Sequence, residues 1–164
     1  MTFVVSICLL FYVGFMVFMI SGLFKHTDLE IKLSETLPNV SVVVAARNEE
    51  SHIPSLIKDL ISQEYPLDKL EVIIVNDRST DGTAAILDDA SDNYAFIKII
   101  TIDQVSKDMT PKKNALTKGI EAAFGEIIVL TDADCRVGKL WVSSMAYSVT
   151  VSYTHLTLPT NTVV

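Results

Sequence analysis

Glu126-Ile127-Ile128-Val129-Leu130-Thr131-Asp132-Ala133-Asp134 is a short β-branched apolar run that stops abruptly at two carboxylates one residue apart. With Gly125 before it and polar residues after, it reads as a buried strand. Side chains alternate faces along a strand, so Asp132 and Asp134 point the same way wherever the extended conformation persists. Two anionic oxygen donors on one side suit a hard cation, Mg²⁺ or Mn²⁺, rather than zinc. The plainer alternative is that one Asp caps a following helix and the other is solvated.

Upstream, the same kind of run recurs. Val40-Ser41-Val42-Val43-Val44-Ala45 reads as a first strand, Val72-Ile73-Ile74-Val75 as a second and Phe96 to Ile102 as a third. Between them lie helical patterns. Ile53, Leu56, Ile57, Leu60 and Ile61 fall on one face, with Ser51 as N-cap and Pro54 tolerated in the first turn. Asp81-Gly82 opens a short helix over Thr83 to Ser91. Thr110-Pro111 opens another, with Leu116, Ile120, Ala123 and Phe124 as its apolar face and Gly125 at its stop. The order is β-α-β-α-β-α-β, and the strands are continuous apolar runs covered on both faces. The expected fold class is α/β: an open, mostly parallel, Rossmann-like sheet with right-handed crossovers and a ligand site outside the carboxyl ends of its strands.

The termini differ from this middle. Phe3 to Phe24 carries no charge; roughly 22 residues make about 33 Å of helix, enough to cross a bilayer core. A signal peptide fits less well, since no Lys or Arg precedes the run and no A-x-A-like site follows it. Residues 1–24 are therefore expected to be an uncleaved transmembrane anchor in the cell membrane and 25–39 a juxtamembrane linker. Lys25 and Lys32 on the C-terminal side favour a cytoplasmic α/β domain. An apolar content of 49% agrees with a membrane segment, and a net charge of −7 argues against a nucleic-acid partner. Cys8 and Cys135 give no disulfide framework, which fits a reducing compartment.

Polar residues collect where the strands end: Ala46-Arg47-Asn48-Glu49-Glu50 after the first, Asn76-Asp77-Arg78-Ser79-Thr80-Asp81-Gly82 after the second, Asp132-Ala133-Asp134 after the fourth. An acid closing the second strand, Asp77, can accept from a ribose hydroxyl or a base N–H. Asp77 and Asp81 can equally shape the turn and cap the next helix. A dinucleotide-binding dehydrogenase is excluded at the first turn, which has no glycine and carries two acids. A phosphatase-like Asp-x-Asp nucleophile belongs at the first strand rather than the fourth, and a nucleotidyltransferase wants a Gly-rich first loop.

Ser41 to Glu50, Val75 to Thr83, Lys112-Lys113-Asn114-Ala115-Leu116 and Thr131 to Asp134 together resemble the successive motifs of family 2 glycosyltransferases, over roughly Pro38 to Tyr147. The resemblance implies the nucleotide-binding half of a GT-A domain over 40–149, which binds a nucleotide-diphospho-sugar, commonly a UDP-sugar, and transfers the sugar with inversion to a glycan or lipid acceptor. It implies Ala46, Arg47, Asn48 and Glu49 along the nucleoside, Asp77 at the base and Lys113 on the diphosphate side. Asp132 would face ribose or metal, and Asp134 would bind the Mg²⁺ or Mn²⁺. A non-catalytic, membrane-tethered nucleotide-binding module is the alternative.

Inversion needs a general base for the acceptor hydroxyl, and in the family that acid comes later in the domain. Here Gly138-Lys139-Leu140-Trp141 resembles the start of the next segment, and Val151-Ser152-Tyr153-Thr154-His155-Leu156 then follows. The tail over 150–164 resembles the translation of a transposase-type sequencing adaptor, whose repeat, read GTC-TCT-TAT-ACA-CAT-CTG, encodes that hexapeptide. The expectation is a truncated domain with an artefactual tail, with apolar surface left bare and no turnover by itself.

Overall fold

A computed structural model describes residues 2–23, 37–104 and 108–153. The chain divides into two compact units, Met1–Lys32 and Leu33–Val164. The first holds helix α1, Thr2–Leu23. Its described side chains, Leu10, Phe11, Phe15 and Phe18 among them, are all exposed. Among the residues described in full, no helix is long and apolar enough to cross a membrane. The anchor expected over 1–24 thus finds no support there. Of the expected linker, 25–36 lie outside the described residues, as do residues 1 and 24 of the expected anchor and 154–164 of the expected tail.

The second unit runs β1 Val40–Ala46, α2 Ile53–Ile61, a 3₁₀ turn Leu67–Lys69, β2 Leu70–Asp77, α3 Thr83–Asn93, β3 Ile97–Ile102, α4 Pro111–Ala122, β4 Ile127–Asp132 and α5 Trp141–Tyr153. The four strands form one parallel sheet in the order β3-β2-β1-β4. Val42 stands level with Val72 on one side and Val129 on the other. The expected alternation is therefore present, with each element within a few residues of its sequence bounds.

Both faces of the sheet are covered, which is why its central strands read as unbroken Val and Ile. Val40, Val42 and Val44 pack with Leu56 and Leu60 of α2, Leu87 of α3 and Val142 and Ala146 of α5. Val43, Ile73 and Val75 face the other way, onto Ala115 of α4. Leu56 and Leu60 are fully buried; truncating either to Ala costs about 2–5 kcal/mol. The face expected for α2 is the buried one. Ser51, however, is not its cap. His52 holds that position without a side-chain cap bond, and the His52 and Ile53 N–H groups both donate to the Glu49 carbonyl.

Helix α4 departs from its pattern. Its buried residues are Asn114, Ala115 and Gly119, while Ile120 is 40% and Phe124 83% exposed. The cause is close approach: a Cβ on Gly119 would lie 2.3 Å from Val43 Cγ1. The helix meets β1 and β2 most closely through small residues; of the expected apolar face, Leu116 and Ala123 pack half-buried against that cluster, while Ile120 and Phe124 fall outside it. On the same side of the sheet, Ile128 and Leu130 of the edge strand β4 are also exposed.

Candidate functional site

From β1 the chain lays β2 and β3 outward on one side, then returns to place β4 on the other side of β1. The direction of winding reverses between β1 and β4, and a crevice opens beyond the carboxyl ends of such strands. A cavity of about 270 Å³ lies there. The end of β1 gives it Ala46, Arg47 and Glu49, β2 gives Asp77, and β4 gives Asp132, Ala133 and Asp134. Its remaining wall includes Pro111 and Lys112, the first two residues of α4. Acids far apart in sequence are thus gathered on one rim.

The paired acids hold their common direction even though β4 ends between them. Asp132 is the last strand residue, and a turn closes with the Cys135 N–H donating to the Asp132 carbonyl at 3.2 Å. Ala133 is buried in the core, while Asp132 and Asp134 are exposed into the cavity. Asp132 meets Lys112 Nζ at 2.8 Å. That contact, then the attraction of Asp132 and more distantly Asp134, holds the Lys112 ammonium above its ordinary pKa.

Asp77 is deeply placed, its side chain 5% exposed. Arg78 grips it with two bonds, Nε to Oδ1 at 2.8 Å and Nη2 to Oδ2 at 3.2 Å, and Arg47 Nη1 stands 3.9 Å from Oδ2. Bidentate pairing of this kind fixes orientation as well as charge. Arg78 adopts φ 54°, left-handed backbone that a non-glycine residue seldom takes. No sequence signal marks that turn, so Arg78 as the holder of Asp77 emerges only in three dimensions.

Asn48 and Lys113 do not line the cavity. Asn48, at φ 56°, spends its side chain on the neighbouring loop, where its Oδ1 accepts from the Thr80 N–H at 2.8 Å. The Glu49 N–H donates to Thr83 Oγ1 and the Gly82 N–H to the Glu50 carboxylate, so the loops after β1 and β2 are laced together. A Cβ on Gly82 would lie 2.7 Å from Glu50 Cδ. Asp81 is part of this lacing. It accepts from the Thr83 and Glu50 N–H groups, and its bonding to Thr83 holds its pKa down despite partial desolvation. Of the two Asp residues in that loop, Asp77 faces the cavity and Asp81 shapes the turn.

The donor set fits a divalent cation that shares its ligands with a substrate. Among the described residues, no cluster of three or more His, Cys, Asp or Glu could hold a metal by itself. Asp132 and Asp134 supply hard oxygens, and Mg²⁺ or Mn²⁺ is commonly held by one or two carboxylates with phosphate oxygens and water completing the shell. The start of α4 adds a second electropositive element beyond Lys112. Its first N–H groups lack intrahelical partners, and the positive end of the helix dipole faces the cavity.

A parallel sheet with acids and one helix start gathered at its winding reversal is the architecture of a nucleotide-binding α/β enzyme domain. Residues 41–156 match the family model described as Glycosyl transferase family 2, and the chain belongs to that family. It is 39% identical over 106 residues to the probable glycosyltransferase YdaM of Bacillus subtilis, covering 65% of this chain and 25% of that protein. S. aureus TarS in complex with UDP-GlcNAc superposes with a TM-score of 0.57 at 26% identity, over 71% of this chain and 32% of that one. Mannosyltransferase PcManGT from Pyrobaculum calidifontis, in complex with GDP-Man and Mn²⁺, gives 0.58 at 29% identity, over 70% and 32%. The chain thus spans about a quarter of the length of YdaM.

Proposed function

We propose that this chain is the donor-binding part of an inverting glycosyltransferase that passes a sugar from a nucleotide-diphospho-sugar, of the UDP class, to a hydroxyl of a glycan or lipid acceptor. The observation that carries this is the convergence of Asp77, Asp132, Asp134 and Lys112 on one cavity at the β1/β4 reversal. Asp77, held by Arg78, accepts from the base N–H, and Ala46, Arg47 and Glu49 flank the nucleoside. Lys112, rather than Lys113, takes the diphosphate side, together with the start of α4. Asp132 and Asp134 hold Mg²⁺ or Mn²⁺, which when bound offsets charge on the leaving diphosphate. PcManGT, with Mn²⁺ and GDP-Man, supports the metal, and TarS with UDP-GlcNAc supports the nucleotide class.

Calorimetry of the 164-residue chain with UDP-GlcNAc and GDP-mannose, each with and without Mn²⁺, tests the assignment. Binding of the UDP-sugar that requires metal is expected. Equal affinity without metal supports a non-catalytic module instead, and preference for GDP-mannose overturns the UDP assignment. Transfer is proposed as an activity of the longer polypeptide, with donor binding but no turnover here. Metal-dependent release of UDP by the 164-residue chain beside a sugar-bearing product would show otherwise.

We further propose a membrane location, with α1 as anchor and the α/β unit cytoplasmic. The support is the charge-free run from Phe3 to Phe24, apolar on every side of the helix and followed by Lys25 and Lys32. Alkaline carbonate washing of membranes from expressing cells should leave the chain in the pellet; release into the wash defeats the proposal.

A further inference from the structure

We propose that Asp59 of α2 and Gln63, just past the end of that helix, are positioning residues for the metal-binding acid Asp134, although neither contributes to the cavity wall. The proposal rests on the reading of Asp134 as a metal ligand. Between the end of β4 and the start of α5 the chain has no strand or helix, and Asp134 sits at the head of that segment. Upstream it is fixed by buried Ala133 and the Cys135-to-Asp132 turn.

Downstream, α2 and the residues just after it fasten Arg136 through Lys139 and the start of α5. Asp59 accepts from Arg136 Nε at 2.5 Å and Nη2 at 2.9 Å, and from the Val137 N–H at 3.2 Å. Gln63 donates from Nε2 to the Gly138 carbonyl at 2.8 Å and accepts from the Val142 N–H at 3.0 Å. The Glu64 N–H donates to the Lys139 carbonyl at 2.8 Å. Asp134 is therefore held between two fixed points, with its carboxylate left exposed to the cavity.

An ordinary surface ion pair would not deserve this role, since exposed pairs contribute about 0–1 kcal/mol. Asp59 is not exposed: its side chain is 13% accessible, and its two oxygens take a fork plus a backbone N–H. Such bonding fixes where the loop lies; partners bonded directly to a metal ligand change metal affinity about 10–100-fold when removed, and a support that grips the chain two residues from Asp134 should act at the lower end of that range.

Mn²⁺ binding to the full 164-residue chain, followed by the loss of free-ion EPR signal with UDP present, separates a positioning role from a merely structural one. Arg136 lies at the surface, so Arg136→Ala should keep the far-UV CD spectrum and melting behaviour while weakening Mn²⁺ about tenfold. Asp59→Asn, which keeps an acceptor for Val137, should weaken it less. If Asp134→Ala abolishes Mn²⁺ binding while Arg136→Ala and Asp59→Asn match the parent chain, the fastening role is wrong and the metal reading stands. If Asp134→Ala itself leaves binding unchanged, the metal reading is the one that fails. Should Arg136→Ala misfold, Asp59→Asn carries the same test.

Discussion

Two lysine–carboxylate pairs sit at opposite ends of this sheet. At the carboxyl rim Lys112 meets Asp132 at 2.8 Å, with side chains 62% and 51% exposed. Toward the amino end Lys98 meets Glu71 at 2.6 Å, with side chains 53% and 15% exposed. The distances are alike and the lysines equally wet, but the carboxylates live differently. Glu71 also accepts from Ser41 Oγ at 2.5 Å and from the Phe124 N–H at 3.1 Å, and Ser41 Oγ accepts in turn from the Gly125 N–H. Its bonds lock the end of α4 and the start of β4 to the two central strands. Asp132 stands open to a cavity, where a cation can take the place of Lys112 beside it, or a phosphate can take its own place beside Lys112, at little cost. Between these two pairs, what differs is the burial of the acid rather than the length of the ion pair.

The largest expected effect breaks the carboxyl rim. Asp134→Ala should remove most of the metal-dependent part of UDP-sugar binding, since it takes away one of the two carboxylates assigned to Mg²⁺ or Mn²⁺; an unchanged isotherm would falsify the assignment. Next comes the amino rim. Glu71→Ala leaves the Ser41 hydroxyl and Phe124 N–H without their acceptor, and should lower stability by about 1–3 kcal/mol in urea unfolding. Gly125→Ala, whose Cβ would lie 2.5 Å from the Ser41 N, should cost a similar amount, about 1–3 kcal/mol. Neither should alter metal binding at the far end of the sheet. A third, smaller contrast is Lys112→Met, which should leave the urea midpoint close to that of the parent chain yet weaken the UDP-sugar several-fold. A Lys112→Met chain that unfolds as readily as Glu71→Ala would erase the distinction.

The comparison also explains what could be read in the sequence. Val42, Val43 and Val44 are enclosed on both faces, and an unbroken β-branched run is the one-dimensional trace of that. Asp77 and Asp132 are legible because each closes such a run, so the strand itself delivers it to the rim, and Asp134 follows two positions on in the turn after β4. Contacts between loops leave no such trace. Asn48 is committed to Thr80 and Arg136 to Asp59, 32 and 77 positions away, and nothing local announces either. The apolar face expected for α4 is half right, Leu116 and Ala123 packing on the core and Ile120 and Phe124 not, for a related reason. Periodicity marks large apolar residues, but this helix is pressed against Val43 at Gly119, where only the smallest residue fits. Lys112 and Lys113 are adjacent, and only the helix start decides which of them reaches Asp132.

The finest distinction between the two ends is the direction in which pH acts on them. Burial pushes the Glu71 carboxyl up, but bonds from Lys98, Ser41 and the Phe124 N–H, with the Lys98 charge, outweigh it and leave its pKa below the ordinary 4.5. A depressed folded pKa means the stabilisation is present above 4.5 and is lost as pH falls through the lower folded value. Asp59 behaves alike: the Arg136 bond outweighs desolvation, helped by the Val137 N–H, and holds it below 3.8. Lys112 is shifted the opposite way, above 10.5, by its bond to Asp132. Its contribution is complete below 10.5 and fades only as pH rises through the raised value. Acid should therefore loosen the amino rim while leaving Lys112 charged. In urea unfolding across the acid range, Glu71→Gln should flatten part of the fall in stability below about pH 4.5 and Lys112→Met should not. Equal acid slopes for Glu71→Gln and the parent chain would mean that the Glu71 network does not bias the ionised form, and the contrast between the rims would then rest on metal and donor binding alone.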